Sequence, residues 1–171
     1  MNSELSHLLI GRDIRTNQRN QEVIKRIKDQ AAFNELFAFL FHHERALVMR
    51  AAEAIEKITR QHKEYIQSHK AHLLSLMQTS DHVELKWHIA QLLPRLELSN
   101  SELTVVWHKL YYWAMNPNEG KIVRINALQG LHQLSLLHPS LKGSLGEVLT
   151  QLGYEKTPWL RASIRKLQKR L

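Results

Sequence analysis

A chain of 171 residues, 43% hydrophobic and 23% charged, can bury one substantial core and is not disordered in composition. It contains no cysteine, which excludes a disulfide framework and thiolate metal sites and suits a cytoplasmic location. No apolar run approaches the roughly 18 residues of a membrane span, and the opening MNSELSHLLIGRDIR lacks a basic region followed by an apolar core, so neither a span nor a signal peptide is expected. The net charge of +8 makes an acidic partner worth testing, either nucleic acid or an anionic protein surface.

With only 4 Pro and 6 Gly among long runs of helix formers, the chain reads as all-α. Residues 1–30 are expected to form an N-terminal helical cap: Leu5, Leu8 and Leu9 make a short amphipathic turn, and Val23, Ile24 and Ile27 a narrow apolar seam on a polar helix.

From residue 31 two helix types alternate. The clearest copy of the second type is 121–137, where Val123, Ala127, Leu131 and Leu134 fall on one face beside Arg124. Subtracting 38 from each gives Leu85, Ile89, Leu93 and Leu96, and subtracting 38 again gives Leu47, Ala51, Ile55 and Ile58. Adding 37 gives Leu160, Ile164, Gln168 and Leu171, a last copy that turns polar at Arg165 and Gln168 as the end of a stack requires. The small Ala54 and Gly130 occupy one position of the repeat, where a neighbouring helix can approach closely. Helices of the first type carry Phe33, Leu36, Phe37, Leu40 and Phe41, then Leu73, Leu74, Leu76 and Met77, then Val106, Leu110, Tyr111, Trp113 and Ala114, then Leu145, Val148, Leu149 and Leu152. The turns between the two types repeat as well, with His43, Asp81 and Glu119 spaced by 38. Four hairpins follow, at about 31–61, 67–97, 101–137 and 140–171, expected as one structural domain. Ser99 with Glu102 predicts a capping box, and Pro94, inside the second copy, predicts a kink.

The pattern carried by Val123, Arg124, Ala127, Leu131 and Leu134 resembles the HEAT repeat, and overlaps with armadillo-like repeats. The resemblance implies a right-handed α-solenoid of helical hairpins that binds a partner along its concave face. Position zero departs from the family in the first two copies, which have Val48 and Lys86 in place of arginine.

The rows expected in that groove are Arg50, Glu53 and Lys57, then His88, Gln91 and Arg95, then Asn126, Gln129 and Gln133, then Ser163, Lys166 and Arg170, with Trp87 beside them. A second feature is the basic C-terminal patch of Lys156, Arg161, Arg165, Lys166, Lys169 and Arg170. The expected function is a non-enzymatic scaffold for a protein partner, with no catalytic residue and no cofactor. The alternative is nucleic-acid binding through the groove and the basic helix. The resemblance also extends to alkylpurine DNA glycosylases, but Asp13, Asp29 and Asp81 fall outside the groove rows, and Glu53 is the only carboxylate within them. His42–His43 and the pair His69 and His72 raise a metal site without supplying a third ligand, so none is expected. Phosphate-binding glycine loops, nucleophile elbows and metalloprotease helices are absent. Trp107, Tyr111, Tyr112 and Trp113 align with Leu73 and Leu74 and read as packing residues of the outer layer.

Overall fold

The computed structural model describes residues 4–9, 16–155 and 157–169. These contain ten α-helices and no strand: α1 (Glu4–Leu9), α2 (Thr16–Arg26), α3 (Gln30–Ala38), α4 (Arg45–Ile58), α5 (Lys70–Thr79), α6 (Val83–Leu92), α7 (Asn100–Met115), α8 (Lys121–Leu137), α9 (Lys142–Gly153) and α10 (Pro158–Gln168). The chain divides into two compact units, Met1–Leu73 and Leu74–Leu171. Their border falls within α5, inside the hairpin expected at 67–97.

In the first unit α4 packs against α3, α2 and α1. Leu47, Ala51, Ile55 and Ile58 are all buried along it, together with Ala52 and Ala54 of the same helix. Where a turn and one helix were expected, the described residues before α3 form two helices, α1 and α2, and Leu5, Leu9, Val23 and Ile27 are buried in the core. Asp29 caps α3 by accepting the Ala32 amide at 2.8 Å.

A polar chain then ties α3 to the segment that follows α4. Gln30 Nε2 donates to the Tyr65 carbonyl at 3.0 Å and to Asn34 Oδ1 at 2.7 Å, and His69 Nε2 lies 2.6 Å from the same Asn34 oxygen. Because a carbonyl only accepts, the Gln30 nitrogen must face Tyr65, which makes the Asn34 oxygen an acceptor and places the His69 proton on Nε2. The His69 ring stacks on buried Phe37 at 4.0 Å between centroids. Partial burial, and then the nearby His72, hold its pKa below the ordinary imidazole value.

The second unit is built around α8, which packs most extensively against α7 and α6 and also touches α9 and α10. Leu85, Ile89, Leu93 and Leu96 are buried, as are Val123, Ala127, Leu131 and Leu134. In α10 Leu160 and Ile164 are buried, but the next core residue is Leu167; Gln168 is exposed, and Leu171 lies outside the described residues. The last copy thus keeps a seam at spacings of four and three while its far end meets water.

Pro94 ends an α-helix rather than kinking one. With no N–H to give the Ala90 carbonyl four residues earlier, it stops α6 at Leu92 and opens a 3₁₀ turn over Leu93–Arg95. That carbonyl faces α8 at Gly130, where a Cβ would lie 2.8 Å from the Ala90 oxygen. A glycine is required there for α8 to approach so closely. The capping box of Ser99 and Glu102 forms with both of its hydrogen bonds, at 2.7 and 3.3 Å. Of the α7 aromatics Trp107 and Trp113 are buried, whereas Tyr112 is 57% exposed and is not a packing residue.

Candidate functional site

Within the second unit, α8 and α10 border an open cleft of about 430 Å³, lined by Gln129 and Gln133 from α8 and Ser163 and Lys166 from α10. These four fall in the polar groove rows of the third and fourth copies, with Gln129 and Lys166 at the same position of the repeat. Gln129 and Gln133 are one turn apart and exposed, and Lys166 is exposed across from them. Ser163 donates its hydroxyl hydrogen to the Trp159 carbonyl at 3.2 Å, so the oxygen offers the cleft lone pairs rather than a proton. His132 and Leu167, both largely buried, form the remainder of the wall with Ala162.

α10 is anchored to α8 at its first turn. Arg124, at the head of α8 and 3% exposed, donates from Nε to the Ala114 carbonyl at 2.9 Å and from Nη2 to Glu155 at 2.5 Å. Its guanidinium lies 5.7 Å from the Trp159 ring, and the Lys121 ammonium lies 5.5 Å from the same ring. Glu155, in the turn before α10, and Trp159 in the first turn of α10 are therefore both held against the head of α8. Lys86, the equivalent residue in α6, binds Glu119 at 2.7 Å in the turn that precedes α8. In both cases the position-zero cation of one hairpin grips a carboxylate in the turn of the next. The sequence shows the cations and the turn register, but not that they meet.

The other expected groove residues are placed differently. Arg50 is half-buried and donates to the Leu9 carbonyl at the end of α1, while Glu53 and Lys57 pair with each other at 2.6 Å. His88 is buried, with Trp87 edge-on to it at 5.4 Å, so this row is not open in the second copy. Gln91 donates to the Trp87 carbonyl at 3.4 Å, Asn126 donates to the Ile122 carbonyl at 2.9 Å, and Arg95 is half-buried. His132 and Leu167 were not expected in the cleft, although they directly adjoin Gln133 and Lys166 in sequence and their neighbourhood was legible.

In the basic patch Arg161, Arg165, Lys166 and Lys169 are exposed; Lys156 and Arg170 lie outside the described residues. At about 100° per residue, Arg161 and Arg165 point away from the side of α10 that carries Ser163 and Lys166. Lys166 alone of these four lines the cleft.

The histidine pairs are occupied by ring packing. His42 and His43 stack on each other at 4.2 Å, and His69 and His72 sit against Phe37. Among the described residues no three His, Asp or Glu side chains converge as a metal ion would need, and no helix is long and apolar enough to cross a membrane. Glu56, which was not singled out in the sequence, is buried at 4% exposure, and its carboxylate receives two hydrogen bonds from Arg60 at 2.9 Å. No family model, characterised protein or solved structure matches this chain.

Proposed function

We propose that the protein is a non-enzymatic binding module of the HEAT-like kind, which engages a protein partner through the face formed by its second-type helices. The observation that carries this reading is the cleft between α8 and α10, where polar groove-row residues of two successive copies line one cavity. Its volume lies within the roughly 300–1,000 Å³ typical of binding pockets. Packing of α8 against both α6 and α10 agrees with stacked hairpins in the second unit. The residues offered are amides, a hydroxyl and an ammonium, which suit recognition by hydrogen bonds and supply no nucleophile paired with a base.

Nucleic-acid binding is the second reading, favoured by the cations Arg161, Arg165, Lys166 and Lys169 on or next to a helix that carries no carboxylate. Titration of labelled duplex DNA against ionic strength separates the two. Each neutralised phosphate contributes about 0.9 to the log–log salt slope, so a steep slope abolished by Arg161→Glu with Arg165→Glu would replace the first reading with the second. The protein-binding reading expects no such slope. It expects a partner, identified by mass spectrometry after affinity capture, that is retained by the wild-type chain and lost when Gln129→Trp fills the cleft.

A further inference from the structure

We infer that the α8–α10 cleft takes an acidic peptide segment, with one Asp or Glu side chain at Lys166 and the adjoining peptide groups at Gln129 and Gln133. The inference rests on the protein-binding reading above and names the chemistry of the partner.

Three observations select this occupant. Among the described residues no carboxylate lines the cleft, and the Lys166 ammonium is the lysine or arginine charge that does, so an incoming carboxylate meets attraction without local repulsion. The helix that supplies it has no acidic residue from Pro158 to Gln168, so no like charge on α10 opposes an incoming carboxylate. The neutral groups then choose between polyanions. Each glutamine presents an N–H donor and a carbonyl acceptor, and Ser163, whose proton goes to the Trp159 carbonyl, presents an acceptor. A peptide has N–H and C=O groups to match both kinds. A phosphodiester backbone accepts only, so it would leave the Gln129, Gln133 and Ser163 oxygens without donors from the ligand.

The experiment uses the full chain and two fluorescein-labelled peptides of equal length, one alternating Glu with Ala and the other Gln with Ala, followed by anisotropy at low salt. The Glu peptide is expected to bind at least about tenfold more tightly than the Gln peptide. Lys166→Glu should remove that preference, with an unchanged melting curve because the side chain is exposed. Gln129→Leu with Gln133→Leu should weaken both peptides by about tenfold, while Arg161→Glu with Arg165→Glu, on the far side, should change binding by less than about threefold. Equal binding of the two peptides, with the side-chain amide resonances of Gln129 and Gln133 moving on addition, would overturn the acidic occupant and leave the protein-binding reading standing. No binding of either peptide, with tight and salt-sensitive binding of duplex DNA lost on Arg161→Glu with Arg165→Glu, would overturn both. Retention of the Glu preference in Lys166→Glu would also overturn the assignment.

Discussion

The first and third hairpins solve one problem, holding a helix pair to the segment after it, with different chemistry. In the third, Arg124 reaches from the head of α8 to Glu155 and the Ala114 carbonyl. In the first, the corresponding residue of α4 is Val48, which is buried and brings no charge. The tie there runs instead through α3, where His69 stacks on Phe37 and donates to Asn34. Guanidinium–carboxylate pairs hold their charge throughout the neutral range, whereas imidazole is the side chain that titrates there. The comparison teaches that helix pairs sharing a hydrophobic pattern need not share their fastenings, and that the one through His69 carries a group able to respond to pH near neutrality.

The largest expected effect tests the buried row of α8 in the third hairpin. Leu131→Asp removes a fully buried side chain worth roughly 1.5–3 kcal/mol and inserts a carboxylate without a counter-charge. Against a typical total of about 5–15 kcal/mol, the chain should lose its cooperative thermal transition. The exposed Gln133→Asp on the same helix should stay within about 0.5 kcal/mol of wild type. Equal melting temperatures for the two variants would contradict the face assignment.

Glu155→Gln comes next, because it leaves the Arg124 guanidinium, 4% exposed in its side chain, without its counter-charge. Glu155 itself is 29% exposed, so water offsets part of the loss. A cost of about 1–3 kcal/mol in chemical denaturation is expected. No change would show that the third hairpin is held by packing alone.

Glycine substitutions sharpen the comparison at smaller scale. Gly130→Ala places a methyl against the Ala90 carbonyl, an overpacking cost of about 1–3 kcal/mol that the gain of about 1 kcal/mol in helix propensity only partly offsets. Gly146→Ala, in α9, meets nothing within 4 Å and should stabilise by up to about 1 kcal/mol. Opposite signs in the two melting temperatures are expected.

The smallest effect belongs to the first unit and concerns pH. The folded-state pKa of His69 lies below its unfolded value, so folding favours the neutral ring. Its contribution is fully present above about pH 6.5 and is lost as pH falls through that value toward the folded-state pKa, where the unfolded chain binds more protons. Melting temperature should therefore decline on acidification below about pH 6.5, and the decline should be shallower in His69→Gln. A pH profile unchanged by that substitution would remove the distinction between the two fastenings.

Much of this was legible in the sequence. The row of Val123, Ala127, Leu131 and Leu134, carried back to Leu47 and Leu85, identified the buried face of each second-type helix, because a helix records in its own periodicity which side avoids water. The same logic marked Gln129, Gln133, Ser163 and Lys166 as facing the same way. Periodicity is measured about a helix's own axis, however, and says nothing about what covers the flanks. Only the tertiary structure decided that His88 is buried while Gln129 stays open, that Leu167 rather than Gln168 completes the last seam, and that Arg124, polar by type, lies inside with a carboxylate 31 residues away. Those outcomes depend on which neighbour is present and how near it comes, and the approach of α8 to α6 is set by a single missing methyl at Gly130 and a missing N–H at Pro94.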